Sequence, residues 1–170
     1  MPCASANESI MMLLSLLDQE ITELEVLADL VQEERRALSR CSIFSLDGIA
    51  QRRLHTVHQL EQLEIRRAQL ADRLAQEQGF RLGQEGLRRL ADRLGGQIGD
   101  RLHAAGWRLT DLVEEVRGGM AINHLALSGL REHAENALRL WQDGGELSLY
   151  SASGVRKPAV STARVVAHKG

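Results

Sequence analysis

The chain has 170 residues, an aromatic content of 3% and a formal net charge of −2 at pH 7. This length is sufficient for one domain with a hydrophobic core, and the scarcity of aromatic residues requires that core to be aliphatic. Both prolines, Pro2 and Pro158, lie near the ends, so neither interrupts a helix in the body. Clusters of β-branched residues that favour strands are missing before Val165 and Val166. These features predict an all-α fold and exclude a sheet.

Charge divides the chain into a body and a tail. Residues 1–150 contain 17 arginines and 23 acidic residues, whereas residues 151–170 contain four basic residues and no acidic one. Gly144 and Gly145 end the last helical pattern, and the segment after them is rich in Ser, Ala, Gly and Val. It has too few apolar residues to fold alone. We therefore predict a helical-bundle domain over residues 1–143 and a flexible basic C-terminal tail over residues 144–170.

The first predicted element is an amphipathic helix over residues 5–40. Apolar residues recur in it at steps of three and four, which is typical of one helix face; they are Leu14, Leu17, Ile21, Leu24, Ala28, Val31 and Leu38. An isolated helix cannot leave such a stripe in water, so later segments must return along it. The turn residues 41–45 are followed by a second helical pattern from Leu46, which predicts an antiparallel hairpin.

The second helix ends at a glycine. Gly79 followed by Phe80 suits a C-cap, in which the glycine adopts positive φ and the apolar residue packs back. Arg53 and Arg67 fall inside the apolar stripe of this helix, and we expect their guanidinium groups to reach water.

Two further helices complete the predicted fold. A short one runs over residues 82–94 and is closed by Gly95 and Gly96. A last long helix ends before Gly144; four glycines inside its pattern leave its start open. Its predicted core stripe comprises Leu102, Leu109, Val113, Val116, Met120, Leu127, Leu130, Ala134, Leu138 and Trp141. The prediction is an elongated antiparallel helical hairpin or bundle of three to four helices.

The first and last helices carry more apolar residues than one stripe needs. On the first helix the additional residues are Leu13, Leu16, Leu27 and Leu30; on the last they are Ile122, Leu125 and Leu140. Two interpretations remain open at this point. The additional residues either broaden the core or form a groove that accepts another helix.

Candidate chemistry is sparse. His55 and His58 stand three residues apart and could share a helix face, but no further ligand has a matching spacing, so we expect solvated histidines and no metal site. Arginine pairs alternate with acidic residues, which argues against a nucleic-acid partner. The sequence has no phosphate-binding loop and no nucleophile motif, so nothing in it predicts an enzyme or a cofactor.

The N-terminal region and the cysteines indicate a compartment. The apolar run after the N-terminus is broken by Asp18 and Glu20, which predicts neither a signal peptide nor stable membrane insertion. Two cysteines, Cys3 and Cys41, are too few for a disulfide framework. We expect a cytoplasmic protein.

Four segments in a fixed order resemble a known family. They are EERRAL, then HQLEQLEIRRAQLADRL, then INHLALSGLREHAENALRLW, and finally ELSLYSASG. In this order they resemble the FlgN family of flagellar export chaperones, over residues 13–154. The final helix of that family usually carries two asparagines three residues apart; Asn123 matches the second, and Met120 stands at the first.

This resemblance implies a function. Members of the family are helical bundles without enzymatic activity. They hold hook-filament junction proteins in the cytoplasm, cover the aggregation-prone terminal helices of these clients, and deliver them to the membrane export gate. The resemblance also assigns gate docking to the family's C-terminal tyrosine, matched here by Tyr150. For the client groove we predict Ile122, Leu125 and Leu140 on the last helix.

A second class of protein has the same periodicity. A homo-oligomeric coiled-coil scaffold or adaptor without a secretion client would also show long leucine stripes. Self-association would distinguish this alternative from a chaperone, which should instead form a defined complex with its client.

Overall fold

The computed structural model describes residues 3–81 and 86–143, with side chains described over residues 7–81 and 86–141. Four helices occupy these ranges: α1 (Cys3–Ser39), α2 (Ile43–Glu77), α3 (Gly86–Leu94) and α4 (Gly96–Asp143). The described ranges contain no strand, so the predicted all-α fold is confirmed. None of these helices combines the length and the apolar character that are needed to cross a membrane. The predicted tail, residues 144–170, lies outside the described residues.

Helices α1 and α2 form the predicted antiparallel hairpin. Arg67 of α2 bonds Glu20 near the middle of α1, while Arg53, earlier in α2, bonds Glu34 near the end of α1. The two pairs show that the helices run in opposite directions, because the earlier residue of α2 bonds the later residue of α1.

The connection between the two helices is shorter than predicted. Helix α2 begins at Ile43 and not near Leu46, which leaves only residues 40–42 for the turn. Cys41 adopts φ of 51°, a left-handed conformation that is uncommon for a residue other than glycine. So tight a reversal between two packed helices requires one residue with positive φ.

The end of α2 follows the prediction. Gly79 has φ of 77°, and the Phe80 backbone N–H donates to the Ala75 carbonyl at 3.0 Å. The Phe80 side chain is partly buried against the core. This is the glycine C-cap with an apolar residue packed behind it.

Two left-handed glycines separate α3 from α4. Gly95 and Gly96 have φ of 60° and 53°, which reverses the chain and starts α4 at Gly96. A Cβ built at Gly99 would lie 2.6 Å from the Ala91 carbonyl oxygen of α3. Only glycine permits this approach of the two backbones. The start of α4, which the sequence left open, is thus Gly96, and α3 packs against the first turn of α4.

The core lies between the helices in two clusters. One cluster joins all four helices through Leu13, Leu14, Leu17, Leu70, Leu74, Leu90, Ala91 and Leu102, with Ile10, Ala71 and Ala105 also buried in it. The second joins α1 to α4 through Leu24, Leu27, Ala28, Val31, Leu112 and Val116. Both clusters are aliphatic, as the composition predicts.

The additional leucines of α1 belong to this core. Leu13, Leu27 and Leu30 are 0%, 6% and 4% exposed, and Leu16 is partly buried. For the first helix, the broader core is therefore the correct interpretation and a groove is not. A helix that contacts partners on two sides buries a wider face than one stripe.

The chain divides into two units inside α4. The first comprises Met1–His124 and the second begins at Leu125. All the core residues named above lie in the first unit. The described part of the second is the last segment of α4, residues 125–143. The predicted domain boundary after residue 143 coincides with the end of the described residues and stays a prediction.

Candidate functional site

A buried amide closes the core of the first unit. Asn123 is 2% exposed, and its Nδ2 donates to the Val31 carbonyl at 2.9 Å and to Glu34 Oε2 at 2.8 Å. Its Oδ1 accepts a bond from Arg35 Nε at 3.3 Å. Three bonds from one side chain fix α4 against the last turns of α1. The resemblance singles out this asparagine, and the structure places it in the core as a connecting residue.

The same layer includes α2. Arg53 Nη1 donates to Glu34 Oε1 at 2.6 Å, so the two oxygens of one carboxylate contact α2 and α4. The Arg53 side chain is 24% exposed, so the prediction that its guanidinium reaches water stays a prediction, but the ion pair with a buried glutamate was not predicted. Its Nε is buried without a hydrogen-bond partner. Asn123, Glu34, Arg35 and Arg53 form what we call the polar layer.

A second arginine of α2 behaves in the same way. Arg67 Nε lies 2.8 Å from both carboxylate oxygens of Glu20, which is 4% exposed. Burial raises the pKa of Glu20, and the guanidinium of Arg67 partly opposes that rise. The Arg67 side chain is 23% exposed, so here too the ion pair, which α1 makes possible by placing an acid inside its apolar stripe, is what the sequence did not predict.

Close packing of α4 on α1 depends on one glycine. A Cβ built at Gly119 would lie 2.5 Å from Val31 Cγ1. The glycine thus costs helix propensity but permits the short distance that the bonds of Asn123 need, one turn further along α4.

After the polar layer the apolar stripe of α4 continues but is exposed. Val116 and Asn123 are buried, and the same face goes on at steps of three and four. Its later members Leu127, Leu130, Leu138 and Trp141 are 41%, 40%, 54% and 77% exposed, with Ala134 exposed as well. We call these five residues the open stripe.

The predicted core stripe of the last helix is therefore only half correct. Leu102 and Val116 are buried, whereas Met120 and all residues of the open stripe are exposed. All five residues of the open stripe belong to the second unit, which begins at Leu125, whereas the buried members of the predicted stripe belong to the first.

The three residues predicted for the client groove are exposed too. Ile122, Leu125 and Leu140 are 52%, 72% and 75% exposed. At 100° per residue, Ile122 and Leu140 point in the same direction, about 80–160° from the residues of the open stripe, and Leu125 lies on roughly the opposite side from it. The final segment of α4 thus presents apolar side chains on two faces.

Sequence reasoning missed the open stripe because it assigned these residues to the core. The apolar period is the same before and after Asn123, so periodicity gave no signal that could separate the exposed residues from the buried ones. The open stripe suits an amphipathic helix, which can bury apolar residues spaced along one face.

The histidines have ordinary surroundings. His55 and His58 are exposed, and His58 Nδ1 lies 3.8 Å from Glu61 Oε2 on the same helix. His103 Nε2 lies 2.8 Å from Asp92 Oδ1. Among the described residues, no group of three His, Cys, Asp or Glu side chains could hold a metal ion. Tyr150, the predicted gate contact, lies outside the described residues.

Comparison with known proteins assigns the family. The family model described as FlgN protein matches residues 1–158. No curated protein and no solved structure matches the chain. Because the family match covers far more than half of the sequence, the chain belongs to the FlgN family, the flagellar export chaperones that its four segments resemble.

Proposed function

We propose that this FlgN-family chaperone binds hook-filament junction proteins in the cytoplasm, prevents their premature association and delivers them to the flagellar export gate. The family supplies the class of function. The observation that carries the rest is the open stripe, an apolar helix face whose four large side chains are 40–77% exposed.

The client element that suits this surface is an amphipathic helix. A partner helix lying along the final segment of α4 could cover Leu127, Leu130 and Trp141 together. Leu140 lies on the flank of this stripe, whereas Leu125 lies on roughly the opposite side of α4, so a helix that covers the stripe would reach Leu140 more readily than Leu125. The same contact would remove the apolar surface of the junction proteins' terminal helices from water.

A second copy of the chain is the competing occupant. The four large residues of the open stripe expose on the order of a few hundred Å² of apolar surface, less than the ~800 Å² per partner of a standard stable interface. This area favours a peptide-sized client over a stable homodimer made by the stripe alone.

Calorimetry with a peptide of a junction protein's terminal helix tests the proposal. Leu130→Glu on the open stripe should weaken binding at least about tenfold, because one buried leucine contributes roughly 1.5 kcal/mol or more. Leu125→Glu measures in the same way the contribution of the opposite side of α4, where Leu125 lies.

The matched control is Leu54→Glu, since Leu54 is a 68% exposed leucine on a different helix, α2. Equal affinities for all three variants and the wild type would reject the proposed surface. Light scattering of the wild type distinguishes the chaperone from the alternative, a homo-oligomeric scaffold. A stable oligomer that Leu130→Glu dissociates would favour the scaffold.

Tyr150 is the proposed contact with the export gate, carried over from the family resemblance. Tyr150→Ala should leave the thermal midpoint and peptide binding unchanged while reducing secretion of the client into the medium. Tyr150→Phe is the control for the hydroxyl alone. A large loss of stability in Tyr150→Ala would mean that the ring is a packing residue.

A further inference from the structure

The tip of the α1–α2 hairpin exposes two large apolar side chains. Ile43 and Phe44, the first residues of α2, are 76% and 97% exposed. They belong to neither core cluster. A phenylalanine this exposed in an ordered turn loses the benefit of burial and calls for an explanation in terms of binding.

The turn that presents them is well ordered. The Ser42 backbone N–H donates to the Ala37 carbonyl at 3.0 Å, and the Ser42 and Ser45 hydroxyls lie 2.7 Å apart. These bonds fix the backbone and the flanking serines around Ile43 and Phe44. A pre-organised loop loses little entropy on binding.

The hairpin tip is also basic, although the body is acidic. Residues 33–53 contain five arginines and three acids, net +2, whereas residues 1–150 as a whole have a net charge of −6. Glu33 and Glu34 are each paired with an arginine of α2. Among the described residues, neither Arg36 nor Arg40 has an ion-pair partner, and both are exposed; Asp47 is the one acid between Arg40 and Arg52.

We propose that the hairpin tip, formed by Arg36, Arg40, Ile43 and Phe44, is a contact site for an anionic membrane surface. Exposed aromatic and aliphatic side chains close in sequence to exposed arginines suit the interface between lipid head groups and acyl chains. Two apolar residues on a turn are too few for the core of a protein interface of ~800 Å² per partner, but a turn at the end of a hairpin can reach a planar surface.

The contact is shallow and reversible. Two apolar side chains and two free charges provide less membrane affinity than a lipid anchor, which itself binds only marginally. Such a site would concentrate the chaperone near the membrane without inserting it. This inference does not depend on the open stripe or on client binding, so either proposal can fail without the other.

Sedimentation of the full chain with vesicles tests the site. The probes are vesicles of equal parts phosphatidylglycerol and phosphatidylcholine, compared with phosphatidylcholine alone. The wild type should bind the anionic vesicles, and high salt should release it because surface charges are screened. The double variant Arg36→Gln/Arg40→Gln should bind more weakly by on the order of tenfold.

A second double variant, Ile43→Ser/Phe44→Ser, should also lose binding, while its thermal midpoint stays unchanged because both side chains are exposed. The matched control is Trp107→Ser, since Trp107 is 72% exposed on α4; it should bind like the wild type. Equal binding to neutral and anionic vesicles, or no binding to either, overturns the proposal. The proposal is also overturned if both tip variants bind the vesicles as strongly as the wild type does. Any binding would then be assigned to the basic residues 151–170. Unfolding curves recorded for every variant ensure that a loss of binding reports the tip.

Discussion

Arg67 Nε lies 2.8 Å from each carboxylate oxygen of Glu20, in a pair that joins the middle of α1 to α2. The two partners differ in their access to water, since the glutamate side chain is 6% exposed and the arginine side chain is 23% exposed. Removing one partner therefore differs in its consequences from removing the other. The buried acid depends on the pair, whereas the arginine can turn toward solvent.

The first prediction compares the two single variants. Arg67→Met leaves a buried carboxylate without its cation and should lower the free energy of unfolding by about 3 kcal/mol. Glu20→Gln keeps a hydrogen-bond acceptor beside Arg67 and should cost only about 1–2 kcal/mol. Urea unfolding at neutral pH measures both. A smaller loss for Arg67→Met than for Glu20→Gln would contradict this account.

The second prediction concerns pH. Burial raises the pKa of Glu20 in the folded chain above its ordinary value of 4.5, so the folded state binds the proton more tightly than the unfolded state. The stabilisation from this group is complete below pH 4.5 and is lost as pH rises through the raised pKa. The stability of the wild type relative to Glu20→Gln should therefore increase as pH falls from neutral toward 4.5. If the difference in unfolding free energy between the wild type and Glu20→Gln does not change with pH, the pKa of Glu20 is not raised.

The third prediction uses two adjacent glycines. Gly118→Ala meets no atom within 4 Å and should stabilise α4 by about 0.5–1 kcal/mol, because alanine favours the helix. Gly119→Ala places a Cβ 2.5 Å from Val31 Cγ1 and should destabilise the protein by about 1–3 kcal/mol. Thermal unfolding compares them, and Val31→Ala combined with Gly119→Ala should recover part of the loss. Equal effects at both positions would disprove close packing at Gly119.

The fourth prediction tests the polar layer. Asn123→Asp has the shape of the wild type but places a carboxylate where Nδ2 lies 2.8 Å from Glu34 Oε2. Repulsion and the lost donor should cost about 2–4 kcal/mol at neutral pH. Asn136→Asp, at an exposed position of the same helix, should change stability by no more than about 0.5 kcal/mol. If both variants unfold like the wild type, Asn123 does not connect α4 to α1 in solution.

The fifth prediction concerns the end of the core. Leu112→Ala removes a side chain that is 2% exposed and should cost about 2–5 kcal/mol. Leu130→Ala, on the open stripe, should change the free energy of unfolding by no more than about 0.5 kcal/mol. Chemical denaturation of both variants is the measurement. A loss at Leu130 comparable to that at Leu112 would show that another part of the chain covers the stripe.

Much of the fold could be predicted from local pattern. Leu14, Leu17 and Leu24 recur at helical steps and are buried, and Gly79 ends α2 in the left-handed conformation that a C-cap needs. Both follow from interactions within a few residues of chain. The additional leucines of α1 had two interpretations, and only the positions of α2 and α4 could decide between them.

Periodicity identifies which face of a helix is apolar and contains no information about what lies opposite. Leu130 has the same relation to its helix as Leu112, yet one is 40% exposed and the other 2%. Arg67 likewise looks like an interruption of a stripe until α1 places Glu20 against it. By itself, then, the sequence determined the helices, their order and their apolar faces. Tertiary structure decided where the core ends and which charges are paired, because burial depends on the length and register of the neighbouring helix.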